Sequence, residues 1–240
     1  MSDIGFIFFD WPEIGEGAAW LFATIALYAG ARRLQQISGG SPLANTVLLA
    51  AIPIMLVLYF GGIPVSHYTL GGWVLLWILG PATVALAVPL YINLAHVRAA
   101  WKPMAVALLV GSAVAVVSSV VISHMLGASI ETVRSLAPKT VTTPIAMGIA
   151  GEIGGIPELT AAFVIFTGII GAVAASALFK LAGVSDERAR GFGMGVAAGG
   201  IGTARAFQES MLAGTFSGVG MTLNGIITAI LLPLIWLAFS

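Results

Sequence analysis

Cysteine is absent from this 240-residue sequence, and charged side chains are scarce. The lack of cysteine excludes disulfides, thiolate metal sites and cysteine nucleophiles. Charged residues make up 8% of the chain, against about 25% in a soluble domain, whereas hydrophobic residues reach 59%. Ten basic and ten acidic residues give a formal net charge of zero, which excludes the broad basic surface that binds nucleic acid. The composition therefore predicts an integral membrane protein.

Apolar windows long enough to cross a bilayer as helices recur along the chain. They cover residues 15–31, 42–60, 70–91, 103–124, 159–181, 191–207 and 216–239. A crossing helix needs about 20 apolar residues, so these windows predict about seven transmembrane helices. We expect an all-α membrane protein folded as a single polytopic domain over residues 1–240.

Residues 136–157 interrupt this pattern with prolines, glycines and polar side chains. Pro138 and Pro144 each remove a backbone donor, and four glycines weaken any helix, so the segment should break into short pieces. Broken backbone at membrane depth is tolerated where protein buries it or water wets it. We interpret this segment as the lining of a binding site.

Basic residues between the windows predict the orientation in the membrane. The pairs Arg32–Arg33 and Arg98–Lys102, together with residues 180–190, would all be cytoplasmic if the N-terminus is outside. This arrangement requires residues 136–157 to enter and leave on the outer side as a re-entrant segment. It also predicts a cytoplasmic C-terminus.

Two of the windows carry their own interruptions. Gly80-Pro81 breaks residues 70–91, and Gly199-Gly200 breaks residues 191–207. The two windows should run in opposite directions, each between two uninterrupted ones, which predicts an inverted repeat of residues 42–124 and residues 136–239. Discontinuous helices in matching places of inverted halves indicate a transporter with its site near the midplane of the membrane.

Four residues of the re-entrant segment are candidates for binding a small carboxylate. Thr143, followed by proline, predicts the N-cap of a short helix through residue 147 whose free amides would face an anion. Thr140 and Thr142 would add hydroxyl donors, and Lys139 would add a positive charge. In the alternative interpretation, Lys139 extends to the membrane surface and the threonines satisfy a bent backbone.

The second broken window supplies an arginine. Gly202, Thr203 and Arg205 are candidates for contact with substrate, and the guanidinium of Arg205 can bind a carboxylate through two parallel hydrogen bonds. An intramembrane arginine marks a functional site by default. The alternative is an ion pair with Glu209, one helical turn later, or with Glu152.

Three further residues are candidates for coupling transport to an ion. Glu152 and Glu209 could carry a proton, and Asn224 is a lone polar residue in the last window that more often joins helices. The three histidines have no partners at metal-ligand spacing, and no acid is placed to complete a catalytic triad. We therefore expect no metal, no cofactor and no enzymatic activity.

Four motifs resemble the LrgB/CidB family of bacterial inner-membrane proteins. They are LGPATVALAVPLY (residues 79–91), LAPKTVTTPIAMGIAGEIGGIPELTA (residues 136–161), TGIIGAV (residues 167–173) and GIGTARA (residues 200–206). The resemblance extends over residues 71–237. It implies a small LrgA/CidA membrane partner and two activities: holin-antiholin-like regulation of murein hydrolases and lysis, or carboxylate transport. Some members are implicated in pyruvate uptake, and a chloroplast relative exports glycolate and glycerate.

One departure from the family pattern falls in the last motif. Where the family commonly has ASHAIGTAR or ASHALGTAR, this chain has AAGGIGTAR, so Ala198 and Gly199 replace a serine and a histidine. A histidine beside an intramembrane arginine would be a natural proton carrier, which this chain lacks at that position.

The sequence leaves two functions open. The first is secondary transport of a small monocarboxylate (pyruvate, glycolate or glycerate) by alternating access, in a homodimer whose remaining helices form a scaffold. The second is a holin-like pore or regulatory scaffold. We favour transport, because a lesion-forming protein has no need of a cation beside exposed helix N-termini.

Overall fold

The computed structural model describes residues 11–38, 46–85 and 87–239, and the regular structure in these ranges is entirely helical. The helices are α1 (Trp11–Ile37), α2 (Thr46–Gly61), α3 (Val65–Ala85), α4 (Ala87–Ile92), α5 (Leu94–Ala99), α6 (Trp101–Met125), α7 (Ile130–Leu136), α8 (Thr143–Glu152), α9 (Pro157–Leu181), α10 (Glu187–Glu209) and α11 (Met211–Phe239). They form two compact units, of which the first contains α1 to α3 and the second α4 to α11.

In the first unit, α1 packs against α2 and α3. The Nδ1 atom of His67 lies 2.7 Å from Glu16 Oε1, and the rings of Trp20 and Tyr68 meet edge to face. The predicted break at Gly80-Pro81 is wrong, because α3 continues through both residues to Ala85. Proline removes one hydrogen bond, and a membrane helix tolerates that loss where neighbouring groups satisfy the freed carbonyl.

The frame of the second unit is built from α6, α9 and α11. Among the described helices, these three are long and apolar enough to cross a membrane, with mean hydropathies of 2.5, 2.3 and 1.9. They confirm the predicted helices at residues 103–124, 159–181 and 216–239. Their exposed faces carry valine, leucine, isoleucine and phenylalanine, as expected of helices whose solvent is lipid.

The segment between α6 and α9 folds into a helical hairpin, which we call the α7–α8 hairpin (Ile130–Glu152). The chain breaks after Leu136, as the prolines predict, and resumes as a helix at Thr143. The amide of Ile156 donates to Ser135 Oγ at 2.8 Å, so the chain leaves the hairpin beside the arm through which it entered. The bend, residues 137–142, is held in an apolar core that includes Ala137, Val141 and Ile149.

The segment between α9 and α11 is a second hairpin. Gly199 lies at φ 53° and ψ −135°, and it divides α10 into two helical arms. Ser210 Oγ donates to Glu187 Oε2 at 2.6 Å, although a straight helix of 23 residues would hold its ends about 35 Å apart. The prediction that residues 191–207 cross the membrane as a broken helix is therefore wrong, since both ends of the α10 hairpin lie together.

The two hairpins enter the unit from opposite ends. Asp186 and Arg188, where the α10 hairpin begins, line one cavity with Ala99 and Ala100, which lie just before α6. Trp236, near the end of α11, lies against Arg134 of the α7–α8 hairpin. We call the first end the basic end, because it carries Arg98, Lys102, Lys180, Arg188 and Arg190. The other, with Glu131, Glu152 and Glu158, is the acidic end.

Small residues allow the α10 hairpin to pack closely against its neighbours. A β-carbon at Gly195 would overlap the carbonyl oxygen of Ser217 in α11, and a β-carbon at Gly171 of α9 would lie 2.7 Å from that of Ala198. The spacings Gly168-x-x-Gly171 and Gly193-x-Gly195 in the sequence predict such a close approach of helices, and these contacts confirm it.

Candidate functional site

The bends of the two hairpins meet in the interior of the second unit. A β-carbon on Gly199 would lie 3.5 Å from the carbonyl oxygens of both Thr140 and Val141. Thr140 is 5% exposed and Val141 is fully buried. Two interrupted helical segments therefore face each other with backbone carbonyls at their contact.

Asn224 of α11 joins this contact to the surrounding helices. Its Nδ2 donates to the carbonyl oxygen of Thr140 at 3.3 Å and to that of Val196 at 3.1 Å, while Ser112 of α6 donates to its Oδ1 at 2.6 Å. Asn224 is fully buried. The side-chain amide of Asn224 thus connects α11 to α6 and to both hairpins.

A cavity of about 760 Å³ extends from the basic end to this contact. Its residues on α6 and just before it run from Ala99 to Ser118, and Lys139 and Thr140 close its inner end. The position of Ala115, 14 residues after Trp101, corresponds to a depth of about 21 Å along α6. The walls are mostly apolar, with alanine, valine, methionine and phenylalanine side chains from α6, α10 and α11.

Lys139 supplies the positive charge at the inner end of the cavity. Its Nζ donates to the carbonyl oxygen of Ala115 at 3.2 Å, and it forms no ion pair within the described part of the chain. The alternative interpretation, in which Lys139 extends to the membrane surface, is therefore not the arrangement observed. An ammonium group held by a neutral carbonyl inside an apolar cavity can bind one carboxylate.

An ion pair lies at the mouth of the cavity. Arg188 Nη2 is 2.5 Å from Asp186 Oδ2, and the amide of Arg188 donates to Asp186 Oδ1 at 2.8 Å. Arg188 lowers the pKa of the Asp186 carboxyl from 3.8 to about 2. Asp186 also caps α10, because Ala189 donates its amide to the same oxygen.

The start of α8 differs by one residue from the prediction. Thr142, not Thr143, is the N-cap residue, and Pro144 follows in the first turn of a helix that continues to Glu152 rather than ending near residue 147. The Thr142 side chain makes no capping hydrogen bond. Proline fits at either of the first positions of a helix, which is why the sequence could not fix the cap.

Gly202 and Thr203 stabilise the α10 hairpin rather than line the cavity. A β-carbon on Gly202 would lie 2.5 Å from the carbonyl oxygen of Met194 in the opposite arm. Thr203 Oγ1 donates to the carbonyl oxygen of Gly199 at 3.0 Å and lies 3.0 Å from Ser217 Oγ. Their predicted contact with substrate stays a prediction.

Arg205 lies in the return arm of the α10 hairpin, outside the residues that line the cavity. It donates to Gln208 Oε1 at 3.2 Å and lies 4.0 Å from Glu209, the ion pair that the sequence offered as the alternative. Glu209 accepts from Arg190 at 2.8 Å and from Ser176 at 3.1 Å. This carboxylate therefore joins both arms of the hairpin to α9.

Glu152 is exposed at the end of α8 and forms no ion pair in the described ranges. Neither Glu152 nor Glu209 lines the cavity, so their predicted role in ion coupling stays a prediction. Two hydroxyls that the sequence reasoning missed do line it: Ser118 of α6 and Thr167 of α9. Thr167 begins the TGIIGAV motif, and Ser118 interrupts an apolar helix, so both positions could have been recognised as candidates from the sequence.

Comparison with known proteins identifies the family. The LrgB-like family matches residues 24–238. An uncharacterized protein of Bacillus subtilis, YwbG, is 37% identical over 219 residues, which are 90% of this chain and 96% of YwbG. The holin-like protein CidB of Staphylococcus epidermidis is 31% identical over 227 residues, 95% of this chain and 99% of CidB. No solved structure matches the chain. With three helices of membrane-crossing length and these relatives, the chain is a membrane protein that belongs to the LrgB-like family.

Proposed function

We propose that this protein transports a small monocarboxylate of the pyruvate, glycolate or glycerate class by alternating access. The observation that carries the proposal is the cavity that leads from the basic end to Lys139, where the bends of two hairpins meet. A transporter needs a site near mid-membrane that is reached from one side at a time, and discontinuous helices commonly form such sites.

The charges of the cavity support a substrate with a single negative charge. Among the described residues, Lys139 is the one charged side chain at the inner end, and Thr140, Thr167 and Ser118 place hydroxyl groups in the lining. Apolar walls disfavour a second carboxylate, because an unpaired charge in such surroundings is costly. Arg205 remains a predicted second cation for a later stage of transport.

The hairpins also suggest the orientation of the protein in a bacterial inner membrane. The positive-inside rule favours a cytoplasmic basic end, so the cavity would be open to the cytoplasm. The α7–α8 hairpin would then be re-entrant from the outer side, as predicted, and the α10 hairpin re-entrant from the inner side. Because α10 does not cross, the C-terminal end of α11 would be outside, which revises the predicted cytoplasmic C-terminus.

The opposed hairpins support an inverted repeat of two smaller halves. One half would be α6 and the α7–α8 hairpin, and the other would be α9 and the α10 hairpin. Movement of these hairpins would close one path and open the other. The repeat predicted from sequence, residues 42–124 and residues 136–239, stays a prediction. A homodimer is part of the proposal and rests on analogy with other transporter folds. A small LrgA/CidA-type partner is also part of it and rests on the family.

Uptake of labelled pyruvate, glycolate and glycerate into proteoliposomes tests the proposal. Saturable uptake of at least one acid is expected, with a loss of about tenfold or more in Lys139→Ala because a charge-assisted hydrogen bond is removed. Lys180→Ala is the matched control, since Lys180 is exposed at the end of α9. Uptake equal to that of empty vesicles for all three acids, or equal uptake by the two variants, would refute transport at this site.

A holin-like activity is the second candidate, and the printed name of the CidB relatives favours it. A pore or lytic regulator would release solutes unrelated to carboxylates. Vesicles loaded with a neutral fluorescent sugar distinguish the two functions: a transporter retains the sugar, whereas a pore releases it equally from wild-type and Lys139→Ala vesicles.

A further inference from the structure

A second cavity, of about 420 Å³, lies toward the acidic end between α6, α7 and α11. Its walls are valine, isoleucine, leucine and tryptophan side chains, and Arg134 is the one charged residue among those that line it. We call it the α6–α11 groove. Nothing in the transport proposal uses it.

The guanidinium of Arg134 lacks a negative partner in the described ranges. Its Cζ lies 5.3 Å from the ring centroid of Trp236, but the part of the chain that the structure describes gives it no ion pair. Its Nε is buried without a hydrogen-bond partner among the described residues. Glu131 is on the same short helix and Glu152 is in the same hairpin, yet neither pairs with it. The charge therefore has no partner among the described residues and is available to an anion from outside the chain.

The α6–α11 groove opens sideways. Val117, Val121 and Ile235 in its wall are 58%, 47% and 50% exposed, on helices of membrane-crossing character. Trp236 and Arg134 lie at the acidic end of these helices, where the membrane meets water and where tryptophan and arginine are commonly found. An occupant that enters from the bilayer would have its polar group beside Arg134 and its apolar part along α6.

We propose that the α6–α11 groove binds an anionic phospholipid, with the phosphate on Arg134 and one acyl chain between α6 and α11. A phosphate oxygen pair matches the planar fork of arginine, and basic pockets between membrane helices bind lipid headgroups in the same way. A free carboxylate would satisfy Arg134 but leave the valine and leucine walls empty. Charge complementarity and the lateral opening together select the lipid.

The test measures phosphatidylglycerol retained by the purified full-length protein, by native mass spectrometry, after extraction from vesicles of phosphatidylglycerol and phosphatidylcholine. Retention should fall about fivefold in Arg134→Gln, because one basic side chain near the membrane surface contributes roughly that factor. Arg98→Gln, at the basic end, should retain the wild-type amount. A melting temperature measured in detergent without lipid shows whether each variant is folded.

A second pair of variants tests the acyl chain without altering the charge. Val121→Trp fills the groove and should lower retention, whereas Ile122→Trp, at a residue that is 56% exposed on the opposite face of the same helix, should not. Equal retention by wild type, Arg134→Gln and Val121→Trp would overturn the proposal. Displacement of phosphatidylglycerol by added pyruvate would also overturn it, by assigning Arg134 to a free carboxylate.

Discussion

Replacement of Asn224 by alanine tests whether one amide holds the two hairpins together. Asn224 is fully buried, and it accepts from Ser112 while it donates to the carbonyl oxygens of Thr140 and Val196. Alanine cannot make any of these bonds. The two carbonyls and the serine hydroxyl would then lie in protein without this partner.

The expected cost follows from the number of bonds that are lost. Hydrogen bonds between membrane helices contribute about 0.6 kcal/mol on average and at most about 1.7 kcal/mol. Three such links give a loss of about 2 to 5 kcal/mol, with no discount for exposure because Asn224 is fully buried. For a chain of this size each kcal/mol lowers the melting temperature by about 2 to 4 °C. We therefore expect a decrease of about 4 to 20 °C.

The measurement is thermal unfolding in detergent, followed by tryptophan fluorescence. Thr222→Ala is the matched control, because Thr222 is exposed on the same helix and bonds within it to Gly218. That substitution should shift the melting temperature by no more than about 2 °C, as surface substitutions usually do. If Asn224→Ala unfolds at the same temperature as Thr222→Ala, then Asn224 does not join the hairpins energetically and the described network is wrong.

Three further predictions concern the α10 hairpin. Gly199→Ala should destabilise the protein by about 1 kcal/mol or more, since φ is positive there, while Gly200→Ala should not; thermal unfolding of the two variants decides. Glu209→Gln should cost about 1 to 3 kcal/mol, because glutamine removes the negative charge and keeps one acceptor oxygen for two donors, so that its NH₂ group faces either Arg190 or Ser176; exposed Glu158→Gln is the control in the same assay. The carboxyl of Asp186 has a lowered pKa, so its stabilising charge is present above pH 3.8 and is lost as the pH falls through about 2. The melting-temperature difference between wild type and Asp186→Asn should hold constant from neutral pH down to that range, and a difference that shrinks well above it would contradict this assignment.

Much of the second unit follows from composition and local signals. Apolar length predicts α6, α9 and α11, because any helix in lipid must satisfy its backbone internally. Proline and glycine predict the break after Leu136, although the bounds of α8 are displaced by one residue at its start. The small residues of α9 and α10 predict close packing, which the contacts of Gly171 and Gly195 confirm.

The doubling back of α10 could not be predicted in the same way. Its 23 residues are long enough to cross a bilayer, and charges stand at both ends whether the segment crosses or returns. The distinguishing contacts, Glu187 with Ser210 and Arg190 with Glu209, join residues about twenty positions apart. A local pattern does not contain such pairings. The candidate site is affected as well. Because α10 doubles back, Arg205 lies near the base of the α10 hairpin, whereas Lys139 lies at the bend of the α7–α8 hairpin.

The fold shows where the histidine of the family pattern, which this chain lacks, would lie. The resemblance aligns it with Gly199, whose backbone faces the carbonyls of Thr140 and Val141 at the contact of the two bends. A side chain there would stand between the hairpins and within reach of the Thr140 carbonyl. With glycine at this position, only backbone atoms of the two hairpins meet at the contact. Glycine also adopts the positive φ at little cost. In this chain the charged candidate at the bends is therefore Lys139, while Glu209, a candidate for coupling, lies at the base of the α10 hairpin. Any coupling through Glu209 would have to act by loosening the hairpin that it joins, rather than by passing a proton directly to the substrate.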